Sequence, residues 1–405
     1  MNRRSFAAVA VVLTLNVQAQ KRIYIPEDLQ GMDLQADSSR WSFKRSMETD
    51  DLIFMWERGF NIKDSQEVSG PDLEGKPMKF NLANLRDRVQ SFYHFFRDTL
   101  GFVKGESKAD RYKMMVMVNY SLDGTAYGGT YDNFIGALWV APNRIQDLKM
   151  NCMAHELGHC FQAQMMADSI SDCWGGTGFF EMTSQWMLWQ VNPDWLTDEN
   201  YHFEAFRKLT HKAYLHMENI YHSPYVIQWW SDLHGRQSIA ELYRHGRRGE
   251  DPVMTYKRLY SMSQSQFNDE MLRGYQHLVN FDFSHARKET RKYACSFDTE
   301  LIEGKDGWLV PKDGLEAYGF HAILLDGRVN LQSHVFQLRL KGDQLRYGFV
   351  GVTTDDREIY SDVNATIFNV PNGQMLKHLY LIVMGAPERH QQKGMSTFQY
   401  SFIVK

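Results

Sequence analysis

The sequence lacks an excess of positive charge and, after its first residues, any long apolar run. Its 405 residues contain 45 Lys and Arg against 49 Asp and Glu, a formal net charge of −4. This balance gives no basic footprint for nucleic acid, so we expect no nucleic-acid partner. No segment beyond residue 19 is apolar enough to be transmembrane. The chain is long enough for two domains with cores of their own.

The start of the chain has the pattern of a secretory signal peptide, which we assign to residues 1–19. Arg3 and Arg4 form a basic start, residues 6–15 are apolar, and residues 17–19 supply a small-residue cleavage site. No cysteine follows this site, so lipid anchoring is not indicated. We therefore expect a secreted, periplasmic or cell-surface protein.

The most informative segment reads His-Glu-Leu-Gly-His at 155–159, inside a proline-free run with helical apolar spacing that predicts a helix over 143–167. On a helix, His155 and His159 project from one face about one turn apart, so they can hold two tetrahedral positions of a zinc ion. Glu156 can then reach a metal-bound water and act as general base. The alternative is a core helix whose two histidines are satisfied by hydrogen bonds.

The third ligand decides the class of site. The longer metallopeptidase motif fails, because Gln162 and Met165 occupy the positions of its glycine and third histidine. Glu181 follows a glycine-rich turn and opens a second helical stretch, so it can complete a His2Glu zinc site with water in the fourth position. Asp168 and Asp172 compete but lie too close to the end of the first helix. A helix N-terminal charge is the alternative role for Glu181.

This arrangement resembles the gluzincin class of zincin metallopeptidases, in which a glutamate on the next helix is the third zinc ligand. The motif followed by Phe161 and Gln162 is similar to that of enhancin-like, mucin-degrading peptidases. The resemblance implies bound Zn²⁺ and a protein or glycoprotein substrate. It also implies that the strand before the motif helix, residues 136–139, lines the cleft as a sheet edge; an ordinary internal strand is the alternative.

In gluzincins a His or Tyr downstream of the third ligand stabilises the oxyanion. We favour Tyr221 or His222 for this role, because a glycine-free helix is predicted to end near Pro224. Six other residues in the same region have suitable side chains: Tyr201, His202, His211, Tyr214, His216 and Tyr225.

The chain contains only four cysteines. In an exported protein they can form disulfides, and we expect Cys160 to pair with Cys173 because that bond would join the motif helix to the loop after it. Cys152 lies one turn before His155, where a thiolate ligand is conceivable and a small buried apolar role is commoner. No cysteine between residues 20 and 40 is available to cap zinc as in a latent propeptide.

The order of predicted elements indicates an α+β fold. After an N-terminal extension, residues 20–39, we assign residues 40–295 to a zincin-like domain with a mixed sheet, an active-site helix and a helical lower subdomain. Within it, residues 61–79 and 124–132 are predicted loops. Residues 296–405 alternate short apolar segments with turns, which predicts a C-terminal β-sandwich.

Two functions compete. The first is a secreted zinc peptidase that hydrolyses extracellular proteins or glycoproteins through a metal-activated water, with possible glycan contact through the C-terminal domain. The alternative is a catalytically inactive zincin-fold protein that binds glycan or protein. The first is favoured because the predicted ligands His155, His159 and Glu181 and the base Glu156 are all present. A purely structural zinc is disfavoured, since such sites use four protein ligands.

Overall fold

The fold is α+β, with a mixed sheet, a helical middle and antiparallel sheets in the C-terminal part, as the sequence predicts. The predicted signal peptide lies outside the described residues, as do Asp172 and Cys173. A computed structural model describes residues 20–62, 66–124, 126–169, 174, 178–392 and 396–405.

The first part of the chain builds a sheet with a long helix packed against it. Its elements are α1 (Glu27–Gln30), β1 (Ser46–Glu48), β2 (Leu52–Trp56), β3 (Asn61–Ile62), β4 (Glu67–Leu73), β5 (Lys76–Asn81), α2 (Leu82–His94), β6 (Met114–Val118), β7 (Ala126–Tyr131), β8 (Ile135–Val140) and α3 (Asn151–Ala167). The main sheet has the order β1-β2-β6-β8-β7, with β2, β6 and β8 parallel. All residues of β2 and β6 are buried, which explains their uninterrupted apolar sequences.

Helix α3 packs on β7 and β8 and against α2. The ring of Phe161 on α3 makes edge contacts with Tyr93 on α2, centroids 5.1 Å apart, and with Phe96, at 5.7 Å. This aromatic packing fixes the helix that carries the His-Glu-Leu-Gly-His segment.

Helix α3 starts at Asn151, not at residue 143 as predicted. Residues 142–144 form a 3-10 turn that opens with Pro142, and Met150 has a left-handed backbone with φ of 57°. These two features stop the helical pattern before the motif because neither conformation continues an α-helix.

Two predicted loops are strands in the structure. Residues 61–79 contain β3, β4 and most of β5, and residues 124–132 contain β7. In β7, Gly128 lies so close to the backbone carbonyl of Glu156 that a Cβ would clash with it. The glycines that suggested a loop therefore permit close approach of strand and helix.

The middle of the chain is helical. Gly158 of α3 faces Ser184 on the next helix, and a Cβ there would stand 2.8 Å from the Ser184 Oγ. Among the described helices, none combines the length and apolarity needed to cross a bilayer. The elements are α4 (Gly178–Val191), α5 (Trp195–Asp198), α6 (Asn200–Lys208), α7 (Tyr225–His234), α8 (Ser238–Arg244), α9 (Pro252–Leu259), α10 (Gln264–Val279) and α11 (Arg287–Thr290).

The C-terminal part consists of antiparallel strands around an apolar core. They are β9 (Leu301–Glu303), β10 (Leu309–Pro311), β11 (Leu315–Glu316), β12 (Phe320–Leu324), β13 (Val335–Lys341), β14 (Leu345–Thr353), β15 (Glu358–Tyr360), β16 (Ile367–Asn369), β17 (Leu376–Gly385), β18 (Thr397–Phe398) and β19 (Ser401–Val404). The two larger sheets have the orders β16-β13-β19-β10-β9 and β12-β17-β14-β15. Their shared core includes Phe336, Phe349 and Phe402.

This sandwich packs directly on the helices. The Tyr275 ring of α10 stacks on Phe320 of β12 with centroids 4.1 Å apart, and His277 stacks on Tyr360 at 4.3 Å. Residues of β12, β14 and β17 belong to the same buried cluster as the helices. The C-terminal part is therefore joined to the rest by a continuous core.

Candidate metal centre

Two helices bring three metal-ligating side chains together. His155 and His159 lie on α3, and Glu181 lies in the first turn of α4. Glu181 Oε2 is 3.2 Å from His155 Nε2 and 3.1 Å from His159 Nε2. The two Nε2 atoms are themselves 3.1 Å apart. The three ligand atoms therefore form a nearly equilateral triangle.

The triangle fits a tetrahedral zinc ion. Zinc bonds of about 2.0–2.1 Å place tetrahedral ligand atoms about 3.3 Å apart, close to the edges of 3.1–3.2 Å found here. Among the described residues, no further His, Cys, Asp or Glu joins this cluster. The cluster thus offers three protein groups that could hold a metal ion, the number that catalytic zinc sites use.

Gln162 determines which nitrogen of His159 faces the cluster. Its Nε2 donates to the Phe180 carbonyl at 3.0 Å and to Ser184 Oγ at 3.2 Å. Because a carbonyl only accepts, the other amide atom facing His159 Nδ1, 3.1 Å away, is the oxygen Oε1. His159 therefore donates from Nδ1 and keeps a lone pair on Nε2.

Gln185 does the same for His155. Its Nε2 donates to the Tyr221 carbonyl at 3.0 Å and contacts His202 Nε2 at 3.2 Å, so its Oε1 accepts from His155 Nδ1 at 3.2 Å. With both imidazoles neutral, their two Nε2 lone pairs and the Glu181 carboxylate converge with no donor hydrogen between them. Such a set of acceptors is stabilised by a cation.

The protonation of the cluster reflects the same electrostatics. Burial acts to raise the pKa of Glu181, but hydrogen bonds from His155 and His159 hold it well below its usual range. Burial acts to lower the pKa of His159, and the hydrogen bond and charge of Glu181 outweigh it, so this pKa is raised. A proton shared within the cluster would therefore compete with a metal ion for the same site.

The cluster opens into a cleft of about 1060 Å³ that Glu156 and Tyr221 also line. The Tyr221 ring lies 6.4 Å from the His155 ring between centroids. Burial, together with the charge of Glu181 and a hydrogen bond to it, raises the pKa of Tyr221. Tyr221 therefore presents a protonated phenol beside the cluster at neutral pH.

His222 lies behind this cleft instead of lining it. Its Nδ1 is 2.7 Å from His202 Nδ1, and His202 contacts Gln185. Burial lowers the pKa of His222, and burial with the charge of His222 lowers the pKa of His202 to about 3. The pair is neutral at physiological pH and belongs to the network that supports the His155 ring.

The wall of the cleft next to α3 is β7. Within the described part of the sheet, β7 is an edge strand, and its Gly128 and Gly129 line the cleft together with Tyr127. The predicted edge, residues 136–139, lies in β8 between β6 and β7 and is internal. The prediction of that edge is wrong, because the edge of a sheet is the strand that has a neighbour on one side only.

Comparison with known proteins assigns a family. The profile described as "Family of unknown function (DUF6055)" matches residues 15–401. The chain belongs to the DUF6055 family. A similar solved structure is a ZmpB metallopeptidase from Clostridium perfringens, 10% identical, with a TM-score of 0.32 over 89% of this chain and 69% of that one. No curated protein matches the chain by sequence.

Other predicted residues of this DUF6055 member have different roles. Asp168, a competing ligand, accepts hydrogen bonds from Ser107 Oγ at 2.5 Å and Gln164 Nε2 at 2.8 Å, away from the cluster. Cys160 is buried with a free thiol that donates to the Ala137 carbonyl at 3.1 Å. Its expected partner Cys173 lies outside the described residues.

Sequence reasoning missed the two glutamines that hold the histidines. A signal for them existed, because Gln162 lies three residues after His159 and Gln185 four residues after Glu181, on the ligand faces of their helices. It also missed that the C-terminal part contributes to the cleft, which includes Tyr318, Arg389 and His390. No local pattern indicates that contact.

Proposed function

We propose that this DUF6055 member is a secreted zinc-dependent peptidase that hydrolyses peptide bonds of extracellular proteins or glycoproteins. The observation that carries the proposal is the convergence of two imidazole lone pairs and a carboxylate, with Glu156 beside them on α3. Zinc held by His155, His159 and Glu181 would supply a Lewis acid that acidifies water and polarises a carbonyl.

Two side chains of the cleft are assigned to proton transfer and charge stabilisation. Glu156 accepts the proton of the attacking water and delivers it to the leaving amine. Tyr221 donates a hydrogen bond from its phenol to the developing oxyanion, a role supported by its raised pKa and by its position beside Glu181. His222 contacts His202, which favours a supporting role for it over contact with substrate.

A polypeptide fits the cleft better than a small molecule. The edge of β7 offers backbone groups to an extended peptide through strand addition. Exposed apolar side chains of Tyr127, Tyr201 and Met217 line the same cleft and can contact substrate side chains. We also propose that the C-terminal part contacts glycan.

The experiment combines zinc content with proteolysis. Purified full-length protein is analysed for zinc by mass spectrometry and for cleavage of casein and mucin. We expect one zinc per chain, and a loss of cleavage by about 10²–10⁴-fold in Glu156→Gln with zinc retained, because only the base is removed. Glu181→Ala should lose zinc and cleavage together.

The matched control is Glu199→Gln. Glu199 lines the same cleft, but its carboxylate accepts from Asn151 Nδ2 at 3.2 Å and Trp195 Nε1 at 2.8 Å, so it is not assigned to proton transfer. A large loss in Glu199→Gln with none in Glu156→Gln would contradict the assignment. Stoichiometric zinc without cleavage of either substrate would favour the inactive binding protein.

A further inference from the structure

Two arginines line the cleft without an acidic partner among the described residues. Arg144 follows β8, in the turn that precedes α3, and Arg389 comes from the C-terminal part. Both are exposed, and neither makes an ion pair within the described chain. Because guanidinium groups match carboxylates in shape and charge, two such groups in a substrate cleft indicate a preference for anions.

The acidic groups of the cleft are nearly all engaged. Asp251 accepts from the Met254 backbone at 2.9 Å and from His390 Nε2 at 2.5 Å. Glu199 is held by its two hydrogen bonds, and Glu181 by the two histidines of the cluster. Glu156 remains, and the proposed function reserves it for proton transfer. Among the described charged residues that line the cleft, the two arginines are therefore the ones with neither a hydrogen-bonded side chain nor an assigned role.

Arg144 lies close to the reacting centre. It lines the cleft together with Cys152, which stands on α3 less than one turn before His155. The Arg144 backbone is fixed by a hydrogen bond to the Ala141 carbonyl at 3.0 Å.

Arg389 is presented by a segment that is anchored on both sides. Glu388 donates its backbone N–H to Gln344 Oε1 at 3.3 Å, and His390 pairs with Asp251. The backbone around Arg389 is thus held while its own side chain is uncommitted. Because this segment is already ordered, little conformational entropy is lost when Arg389 binds a ligand. This favours a recognition role over an incidental surface charge.

We propose that the cleft selects acidic polypeptides, with Arg144 and Arg389 binding substrate carboxylates from two walls of the cleft. This proposal rests on the proposed function in one respect: the polypeptide that binds is also the substrate that is cleaved. The carboxylates come from Asp and Glu side chains or from a chain terminus, which share the chemistry that guanidinium recognises. It also gives the C-terminal part a role as a wall of the substrate cleft.

Binding is measured by fluorescence anisotropy with the zinc-loaded full-length Glu156→Gln protein, which holds peptides without cleaving them. The probes are labelled peptides alternating Ala with Glu, Gln or Lys, each with a free or an amidated C terminus. We expect the Glu peptide to bind about tenfold more tightly than the Gln peptide, as charge-assisted hydrogen bonds do. The gain of the Glu over the Gln peptide reports side-chain carboxylates, and weaker binding of each peptide after amidation reports the terminal carboxylate.

Variants locate the effect. Arg144→Gln and Arg389→Gln should each reduce the Glu preference by about threefold, and the Lys variants should retain part of it. Arg328→Gln, an exposed arginine away from the cleft, is the matched control and should change nothing. Equal binding of Glu and Gln peptides with no loss on amidation, or unchanged binding of these carboxylates in both cleft variants, overturns the proposal.

Cleavage separates this proposal from the proposed function. The wild-type zinc protein is given a peptide library, and cleaved products are identified by mass spectrometry. Enrichment of Asp and Glu around the cleaved bonds, reduced in Arg144→Gln and Arg389→Gln, supports both proposals. Cleavage without such enrichment overturns the acidic preference alone, whereas binding through both arginines without any cleavage overturns the peptidase assignment alone.

Discussion

The helices that hold the cluster of His155, His159 and Glu181 bury different kinds of side chains from those of the C-terminal sandwich. Helices α3 and α4 bury amides and hydroxyls. The buried amides include Gln162, Gln164 and Gln185, each with hydrogen-bond partners. In the described residues from 301 onwards, the buried polar side chains are His321 and Thr353. The sandwich is thus held together almost entirely by apolar burial.

The difference shows what each region is built to do. Burying an amide costs free energy unless its hydrogen bonds are made. Buried amides therefore do not make a region more stable than an apolar core would. Around the cluster the amides orient ligands, a task that apolar side chains cannot perform. We therefore expect substitutions in the sandwich to change stability and those around the cluster to change metal affinity.

The largest effect is expected for Phe349→Ala in the sandwich core. Phe349 is fully buried and stacks on Phe368 with centroids 5.4 Å apart. Removing the ring should lower the free energy of unfolding by about 3–5 kcal/mol through lost burial and a cavity. Urea denaturation measures the loss, and zinc content at low temperature should stay at the wild-type level. Loss of zinc from the folded variant would contradict the expectation that substitutions in the sandwich change stability and not metal affinity.

Removal of the metal should have the next largest effect. The proposed zinc site exists in the folded protein and not in the unfolded chain, so free zinc at a hundred times its Kd should raise the free energy of unfolding by about 2.7 kcal/mol. A chelator should reverse the gain, measured as a shift in Tm. His159→Leu is the control in which neither addition nor chelation changes Tm. An equal zinc effect in that variant would point to binding elsewhere.

Gln185→Met tests the orienting role of a buried amide. Methionine keeps the volume but removes the oxygen that accepts from His155 Nδ1 at 3.2 Å. Zinc affinity should fall by about 10–100-fold, the usual effect of losing a group that orients a metal ligand. Competition with a fluorescent chelator measures it. Gln228→Met, a buried glutamine outside the ligand contacts, should leave zinc affinity unchanged.

The smallest effect concerns His321, a buried titratable group of the sandwich. Burial, and then the charge of His211, lowers its pKa from 6.5 to about 3. Below pH 6.5 the unfolded chain takes up a proton that the folded protein refuses until about pH 3. This group should therefore remove about 1.4 kcal/mol of stability per pH unit in that window.

The comparison variant for this pH dependence is His321→Gln, which cannot titrate. Unfolding free energies are measured from neutral pH down to about pH 5, a range in which one proton separates the two states at this residue. The variant should show a shallower loss of stability than the wild type. Identical slopes would mean that His321 is not neutral in the folded state.

Much of the fold could be predicted from local patterns. The apolar runs of β2 and β6 and the alternating segments of the sandwich were recognisable, because burial on one or both faces dictates side-chain polarity along a strand. The strand β7 was not, since its paired glycines indicate a turn unless the neighbouring Glu156 carbonyl is known. The start of α3 was missed because a left-handed residue such as Met150 has no sequence signature.

At the site, the sequence alone determined that His155 and His159 share a helix face, because the period of an α-helix is a local property. It also supplied Glu156 and the carboxylate of Glu181. Only the tertiary structure decided that Glu181 meets both histidines, that Tyr221 faces the cleft while the adjacent His222 does not, and that β7 forms the edge. These outcomes depend on how distant elements pack, and spacing along the chain carries no information about that.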